Sequence, residues 1–313
     1  MNNIRQGVQQ YLTLRGGLGF VLQNERTALY TFVSFLEAEG ASHITIELAM
    51  RWATQSVGVQ SATWGRRLGM VRRFAVWFSA FDPRTEVPSQ GLLPYHNQRR
   101  RPYIYSNNEI KRLLRAAAKL PSPKGLRGLT CSTVFGLLVV TGMRVSEALS
   151  LDCDDVNLAE GILTIRRTKF GKSRLVFVHP STQIALAAYV EARDRLFPRA
   201  KSQSFFVTEQ GNRITPSMAG WAFVQASRSV GLRPPGKRRG KGPRLHDLRH
   251  RFAVQTLINW YRADLDVERE LPKLSTYLGH THVNDTYWYL EAVPELLQLA
   301  TKRLERRATG GEP

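Results

Sequence analysis

The stretch Arg244-Leu-His-Asp-Leu-Arg-His-Arg-Phe252 carries the strongest fold signal in the chain. Its apolar residues recur at helical spacing, at Leu245, Leu248 and Phe252, and predict a helix with one buried stripe. His246 and Arg249 are three residues apart and share a neighbouring face of that helix. A histidine and an arginine at the edge of a core suit a phosphate, because one transfers protons and the other clamps an anion. The stretch therefore predicts a helical domain with an anion site on this helix.

A second arginine lies in an otherwise apolar stretch, Thr141-Gly-Met-Arg-Val-Ser-Glu147. A guanidinium in such surroundings must find an anion, either in the protein or in a ligand. Glu147, three residues after Arg144, is the protein alternative, since residues at this spacing meet on a helix. Both interpretations stay open on the sequence: a structural ion pair, or an arginine that binds a ligand anion.

Two lysines, Lys169 and Lys172, fall in a polar turn between short β-rich runs at 161–165 and 174–178, a pattern that predicts a hairpin. Lysines at turns are ordinarily solvated. A lysine there is also mobile, and it can deliver a proton into a neighbouring groove. Either lysine is therefore a candidate proton donor.

An aromatic cluster, Tyr287-Trp-Tyr289, follows Leu278-Gly-His280 near the end of the sequence. The ordinary fate of such a cluster is core packing. A phenol can also attack phosphorus, provided that cationic groups clamp the phosphate and offset its ordinary pKa of about 10. Successive residues of a helix rotate by about 100°, so Tyr287 and Tyr289 point to opposite sides and only one can face a site.

The histidines offer a metal alternative, because His246 and His250 are spaced i, i+4 and are followed by His280 and His282. A zinc site usually adds a carboxylate or thiolate, and the segment lacks the glutamate of a zinc-protease helix. The sequence also shows no obvious acidic cluster for a pair of divalent metals. We therefore predict no metal site and no cofactor.

The composition favours a polyanionic partner. The 313 residues include 45 Lys+Arg against 25 Asp+Glu, a formal net charge of +20 that concentrates phosphate polymers around a protein. Two cysteines, Cys131 and Cys153, are too few for a disulfide scaffold or a four-cysteine zinc site. No apolar window is long enough to span a membrane, and the first residues form no signal peptide, so we expect a cytoplasmic protein.

Periodicity and proline content divide the chain into three parts. Residues 1–85 predict a helical domain, with amphipathic stripes across 19–80 and a helix capped at Thr45. Prolines and three consecutive arginines mark 86–104 as an extended linker. Residues 105–313 predict a mainly helical domain with a small antiparallel sheet. The expected fold is therefore mainly α, with an all-helical first domain followed by an α+β domain.

Basic side chains gather in four places where nucleic acid could bind. These are the helix 63–78, which has no acid of its own to pair with its arginines, the linker, the hairpin turn and the loop 234–244. A solvated surface is the alternative for each group. The residues are Arg66, Arg67, Arg72, Arg73, Arg99, Arg100, Arg101, Lys172, Lys237, Arg238, Arg239 and Lys241.

Taken in chain order, these segments resemble the tyrosine recombinase (phage-integrase) family of site-specific DNA recombinases. That family carries an arginine, a lysine, His-x-x-Arg, a histidine and a tyrosine in this order. The matching positions are Arg144, Lys169, His246, Arg249, His280 and Tyr289. Tyr289 follows His280 at the family's usual spacing, and Lys172 stays an alternative to Lys169. Each box alone is a weak match, but the ordered set is specific and covers roughly residues 20–300.

The resemblance implies attack of Tyr289 on a DNA phosphodiester, which forms a 3′-phosphotyrosine and releases a 5′-hydroxyl. Two arginines, Arg144 and Arg249, would clamp the phosphate, and Glu147 would orient part of the set. Proton transfers would fall to the remaining residues: Lys169 on the leaving oxygen, His246 on the tyrosine and His280 on the phosphate. The reaction would need neither metal nor ATP, because bond energy is conserved in the adduct.

The resemblance also implies a core-binding domain before the linker and a catalytic domain after it. The partner would be double-stranded DNA in the nucleoid. Four protomers, identical or with related recombinases, would assemble on two DNA sites and exchange a C-terminal segment, for which 294–304 is the candidate. Packing of that segment on its own domain is the alternative.

Three other functions stay open on the sequence: a type IB topoisomerase, a non-catalytic DNA-binding module and a metal-dependent nuclease. The ordered set favours the recombinase over the binding module. The resemblance implies integration, excision or transposition of a DNA element as the outcome of the reaction.

Overall fold

The computed structural model describes residues 4–94, 101–166, 173–199, 201–236, 242–280 and 282–308. The chain divides into two compact units, Met1–Arg100 and Arg101–Pro313. The division falls within 86–104, the segment for which the sequence predicts a linker. Each unit has its own buried core.

Among its described residues, the first unit has four helices: α1 (Ile4–Gly17), α2 (Gln23–Ala38), α3 (Ile46–Thr54) and α4 (Ser61–Phe78). Their apolar stripes meet in one core, in which Phe32, Trp52 and Phe74 are almost fully buried. The hydroxyl of Thr45 caps α3 by accepting from the backbone N–H of Leu48 at 3.2 Å, as the sequence predicts.

The helix α1 precedes the stretch 19–80 for which the sequence predicts helices. Its glycines and glutamines dilute the apolar pattern, and the prediction missed it for that reason. Ile4, Val8, Tyr11 and Leu12 are nevertheless buried, and their spacing of three to four residues was the available signal.

The first part of the predicted linker packs on this helical unit. The backbone N–H of Glu86 donates to the carbonyl of Ile44 at 2.9 Å, and the carboxylate of Glu86 accepts from the N–H of Ile46 at 2.7 Å. Thr85 is buried, and Leu93 packs against the helical core. This part of the segment therefore follows the surface of the first unit.

The second unit contains nine helices and three strands in its described part. The helices are α5 (Asn107–Ala118), α6 (Leu126–Thr141), α7 (Val145–Leu149), α8 (Pro180–Leu196), α9 (Pro216–Ser229), α10 (Asp247–Arg262), α11 (Val267–Leu278), α12 (Asn284–Ala292) and α13 (Pro294–Ala308). The strands are β1 (Val156–Asn157), β2 (Ile162–Ile165) and β3 (Arg174–Phe177). Throughout the described ranges, no helix is long and apolar enough to cross a membrane.

The three strands form an antiparallel sheet in the order β1-β2-β3. Ile165 at the end of β2 pairs with Arg174 at the start of β3, so the predicted hairpin is confirmed. The apolar run 205–207 is typical of a short strand but forms none, because Val207 makes only an isolated bridge with Arg213 and the two phenylalanines before it pack into the core.

Two apolar clusters fill the second unit. One joins α5, α6, α8, α9 and the sheet around Phe135, Tyr189 and Phe206. The other joins the last four helices, α10 to α13, around Leu257 and Tyr289. The fold class expected from the sequence, mainly helical with a small antiparallel sheet, is confirmed.

Candidate active site

Arg144 is the residue that precedes α7, and its contacts tie two parts of the second unit together. Its backbone N–H donates to Oε2 of Glu147 at 2.9 Å, and its Nη1 donates to Oε1 at 2.8 Å. Its Nη2 donates to the carbonyl oxygen of Gly279, after the end of α11, at 2.7 Å. The side chain of Arg144 is 27% exposed. The ion pair with Glu147 is thus present, and the guanidinium still presents a surface to solvent.

Glu147 is shared between two arginines. It also accepts from Arg174 at the start of β3, with Nη1 at 3.1 Å from Oε1 and Nη2 at 2.7 Å from Oε2. Burial raises the pKa of Glu147, but the hydrogen bonds from Arg174 and Arg144 outweigh it and hold the pKa below its ordinary value. The carboxylate is therefore ionised at neutral pH. Two guanidiniums around one carboxylate leave one net positive charge.

The sequence-based site did not include Arg174. The available signal was strand alternation, because Arg174 lies two residues from the buried Val176 and so shares its face of β3. An arginine on the buried face of a strand needs an anion, and only the tertiary fold identifies Glu147 as that anion.

Arg249 is held by main-chain carbonyl groups. Its Nη1 donates to the oxygen of Gly142 and its Nη2 to the oxygen of Leu278, both at 2.8 Å. The residue is 3% exposed, and this burial lowers its pKa to about 10. Arg249 therefore stays charged at neutral pH.

Arg144 and Arg249 donate to carbonyl groups at the ends of two helices, each followed by a glycine in the left-handed backbone conformation. Gly142 after α6 has φ +61° and Gly279 after α11 has φ +68°, a region that favours glycine. A Cβ on Gly279 would lie 3.0 Å from Nη1 of Arg174, and one on Gly142 would overlap the ring of Phe252. The two glycines thus combine a turn with close packing beside the arginines.

His246 stands at the start of α10, and its ring meets that of His250 edge to face with 4.6 Å between centroids. The residue has a solvent-exposed edge, but neighbouring protein atoms crowd the imidazole. This desolvation, together with the charges of Arg249 and Arg244, lowers the pKa of His246 to about 4. The ring is neutral at pH 7 and can accept a proton.

Tyr289 lies on the inner side of α12 and is 2% exposed, whereas Tyr287 is 43% exposed. This agrees with the opposite orientations expected from helical rotation. The hydroxyl of Tyr289 shares a hydrogen bond of 3.1 Å with Nδ1 of His250. The sequence did not point to His250 as the partner of this phenol.

His280 follows the α11 turn and faces the same tyrosine. Its ring stacks on that of Tyr289 at 6.4 Å between centroids, with 24° between the planes. Its Nδ1 shares a hydrogen bond of 2.7 Å with the buried hydroxyl of Thr286. That contact fixes the ring, because one nitrogen is engaged by the protein.

The fold therefore connects six of the predicted residues through direct contacts or shared neighbours: Arg144, Glu147, His246, Arg249, His280 and Tyr289. Lys169 and Lys172 lie outside the described residues. Within the described part of the chain, no group of three or more His, Cys, Asp or Glu is arranged to hold a metal ion.

The arginines proposed from the sequence for DNA contact on α4 have different surroundings. Arg67 donates to the hydroxyl of Ser56 and lies 4.2 Å from the centroid of the Trp52 ring. Arg73 pairs with Glu25 of α2 at 2.8 Å, an acid from another helix.

Three arginines of α4 line a cavity. Arg66, which is exposed, borders with Arg72 and Arg73 a space of about 780 Å³ between the helix and residues 89–93. Arg101 is also exposed. The other proposed contacts lie outside the described residues: Arg99, Arg100, Lys172, Lys237, Arg238, Arg239 and Lys241.

The chain is similar to known proteins in both sequence and fold. Residues 104–295 match the Phage integrase family. The putative integrase/recombinase y4rB of Sinorhizobium fredii is 48% identical over 98% of both chains. The tyrosine recombinase XerD of Caulobacter vibrioides is 30% identical over 77% of this chain and 74% of its own. A solved structure of the Tn1549 transposon integrase with transposon right end DNA has a TM-score of 0.67 at 16% identity, covering 96% and 99% of the two chains.

The chain belongs to the phage integrase family of tyrosine recombinases. It is a DNA recombinase, an enzyme that cleaves and rejoins DNA strands at specific sites, and DNA is its partner.

Proposed function

We propose that Tyr289 is the nucleophile of this recombinase and that the residues around it bind the phosphate and transfer the protons. The observation that carries the proposal is the meeting of His280, His250 and Tyr289, with Arg249 one residue from His250 on α10. In cleavage, Oη of Tyr289 forms a bond to the scissile phosphorus and the bond to the 5′-oxygen breaks. The products are a 3′-phosphotyrosine and a 5′-hydroxyl.

Arg144 and Arg249 serve as the phosphate clamp. Each has guanidinium N–H groups left after its contacts to carbonyls and to Glu147, since a guanidinium has five donors. In this proposal, these donors bind the non-bridging oxygens, on which charge develops in the transition state. Removal of one such donor group is expected to slow cleavage by about 10²–10³-fold.

The proton of Tyr289 passes to His246, which is neutral at pH 7 because its pKa lies at about 4. The departing 5′-oxygen takes a proton from Lys169, with Lys172 as the alternative donor. His280 donates to a phosphate oxygen. In the second half of the reaction, the 5′-hydroxyl of a partner strand attacks the adduct and the same groups return the protons.

Tyr289 has to leave its buried position for this chemistry. With 2% exposure and its hydroxyl bonded to His250, the phenol is shielded from a DNA backbone. We propose that α12 shifts when DNA binds and brings the tyrosine to the phosphate. Cleavage is then coupled to assembly on the DNA site.

We further propose that the working form is a homo-tetramer on two DNA sites in the nucleoid, with the first unit as the core-binding domain. The helix α13 buries Leu296 against its own chain but leaves Leu297 and Leu304 50% and 66% exposed. These two leucines form the surface we assign to a neighbouring protomer. Crosslinking on DNA, with Leu304→Asp as the disrupting variant, tests this assembly.

The test of the chemistry is a trapping assay. Wild type, Tyr289→Phe and Tyr287→Phe are incubated in EDTA with nicked duplexes from the DNA that flanks the gene, and SDS-resistant adducts are measured. Adducts are expected with wild type and Tyr287→Phe only. Adducts with Tyr289→Phe would overturn the assignment, and strand cleavage that requires Mg²⁺ and leaves no adduct would favour a metal-dependent nuclease.

One control distinguishes the proposed recombinase from a type IB topoisomerase. A type IB topoisomerase uses similar chemistry but needs no second site, so robust relaxation of a supercoiled plasmid without flanking DNA would favour it. The recombinase proposal expects relaxation to depend on the inserted target sequence.

A further inference from the structure

Each oxygen of the Glu147 carboxylate receives one hydrogen bond from each of two arginines. Oε1 accepts from Nη1 of Arg144 at 2.8 Å and from Nη1 of Arg174 at 3.1 Å. Oε2 accepts from the backbone N–H of Arg144 at 2.9 Å and from Nη2 of Arg174 at 2.7 Å. Arg174 thus grips both oxygens with its planar fork and fixes the plane in which Glu147 presents them to Arg144.

Arg174 is well placed to hold this arrangement rigid. Its side chain is 15% exposed, and it lies against the backbone of Gly279, where an added Cβ would be 3.0 Å from Nη1. The carbonyl of the same glycine accepts from Arg144. Arg174, Glu147, Arg144 and Gly279 therefore form a closed circuit of contacts.

The charges of the circuit matter as much as its geometry. Arg144 and Glu147 alone would be a neutral pair, because a single guanidinium facing one carboxylate cancels its charge. Arg174 supplies the second positive charge and leaves a net charge of one beside the phosphate site. Nε of Arg174 is buried and has no hydrogen-bond partner among the described residues. A buried donor without an acceptor costs free energy, so the fold holds Arg174 in this position at some cost to stability.

We propose that Arg174 is a positioning residue for DNA cleavage: through its bidentate contact with Glu147 it holds Arg144 in place and keeps that arginine's charge available to the scissile phosphate. Arg174 need not touch DNA to do so. The proposal rests on the clamp role proposed for Arg144.

The first measurement compares Arg174→Ala with a matched arginine of the same unit. Arg193 is 12% exposed in its side chain, pairs with Asp194 at 2.7 Å and donates to the carbonyl of Phe205 at 3.0 Å. Arg193→Ala therefore removes a comparably buried, ion-paired guanidinium outside the site. Unfolding midpoint, DNA affinity and the rate of adduct formation are measured for both variants. Only Arg174→Ala is expected to slow adduct formation by about tenfold or more at saturating DNA.

The decisive readout is a change of substrate. A methylphosphonate at the cleavage position carries no negative charge, so it needs the guanidinium charge of the clamp less. The cleavage defect of Arg174→Ala should shrink on this substrate relative to the ordinary phosphodiester. An equal defect on both substrates would mean a merely structural role and would overturn the proposal.

A double-mutant comparison gives a second criterion. If Arg174 acts through Arg144, then Arg144→Ala combined with Arg174→Ala is no slower than Arg144→Ala alone. A double variant whose loss of cleavage rate equals the product of the two single losses would contradict the proposal. Should Arg174→Ala not fold, Arg174→Lys keeps the charge but loses the fork, and it is expected to cleave more slowly with unchanged DNA affinity. Wild-type rates from Arg174→Lys would then overturn it.

The same experiment separates this inference from the proposed function. Wild-type adducts that disappear in Tyr289→Phe uphold the chemistry whatever Arg174 does. Wild-type adducts with undiminished rates in Arg174→Ala defeat only the positioning role.

Discussion

The hydroxyl of Tyr289 on α12 lies 3.1 Å from Nδ1 of His250 on α10, and Tyr289 is only 2% exposed. The His250 ring also packs against Trp288, with 5.4 Å between centroids. The nucleophile we assign is therefore held by a histidine one residue beyond Arg249. The position of the phenol in the protein without DNA can therefore be tested through this hydrogen bond.

The contact predicts a coupling in stability. Tyr289→Phe and His250→Phe each remove one partner while preserving an aromatic ring, and a buried hydrogen bond of this kind contributes about 1 kcal/mol. Urea unfolding of the two single variants and the double variant should give a coupling energy near that value. A cycle of Tyr287→Phe with His250→Phe is the control, for which additive effects are expected. A zero coupling for Tyr289 would contradict the contact.

The shared carboxylate predicts a large effect from a small change. Glu147→Gln removes the negative charge between Arg144 and Arg174. The Glu147 side chain is 6% exposed, and breaking a buried ion pair of this kind costs about 3 kcal/mol. Glu191→Gln is the control, because its pair with Arg195 is 73% and 74% exposed and should contribute at most about 1 kcal/mol. Equal losses in urea unfolding would argue against the two-arginine arrangement.

Two glycines with the same backbone conformation separate strain from crowding. Gly231 has φ +76° and open space where a Cβ would stand, whereas Gly279 has φ +68° and the arginine guanidiniums beside it. Gly231→Ala should cost about 1–2 kcal/mol from backbone strain alone. Gly279→Ala should cost more and should also slow adduct formation, since it displaces Arg174 or Arg144. Matching activity in the two variants would show that the glycine only makes a turn.

The depressed pKa of His246 predicts a pH effect on stability. The folded protein holds this pKa at about 4, below the unfolded value near 6.5. Its contribution to stability is therefore fully present above about pH 6.5 and is lost as the pH falls towards 4. Unfolding midpoints should accordingly drop more steeply over this range in wild type than in His246→Asn. Parallel curves for the two proteins would be inconsistent with a shifted His246.

Contact of α4 with DNA predicts a change in salt dependence. Arg66→Ala should weaken DNA binding across sequences and reduce the slope of log affinity against log salt by about one. Arg51→Ala is the control from the same unit, because Arg51 is engaged with both carboxylate oxygens of Glu39 at 3.0 Å. An unchanged slope for Arg66→Ala would move the DNA contact elsewhere.

The sequence predicted the local features well, because periodicity and caps act within a few residues. Thr45 and the hairpin before Arg174 are of this kind, as is the opposite exposure of Tyr287 and Tyr289. The pair of Arg144 and Glu147 was also an explicit alternative. What sequence alone could not supply were partners from distant elements, since no local pattern encodes which helices meet.

Three contacts show the difference. His250 and Tyr289 are 39 residues apart and meet only because α12 packs on α10. Arg73 lacks an acid on its own helix, which favoured DNA contact, yet it pairs with Glu25 from α2. Glu147 likewise takes its second arginine from a strand 27 residues further along. Each of these depends on tertiary packing rather than on spacing.

The main-chain carbonyls of Gly142, Leu278 and Gly279 have a thermodynamic consequence for the phosphate clamp that we propose. An arginine side chain carries about 2 kcal/mol of rotamer entropy, and a free one would surrender much of it each time a phosphate arrives. Here that ordering cost falls on folding, once, before any DNA is present. Each later encounter with a scissile phosphate meets guanidiniums whose directions are already set, so the loss of freedom is not repeated from one strand exchange to the next.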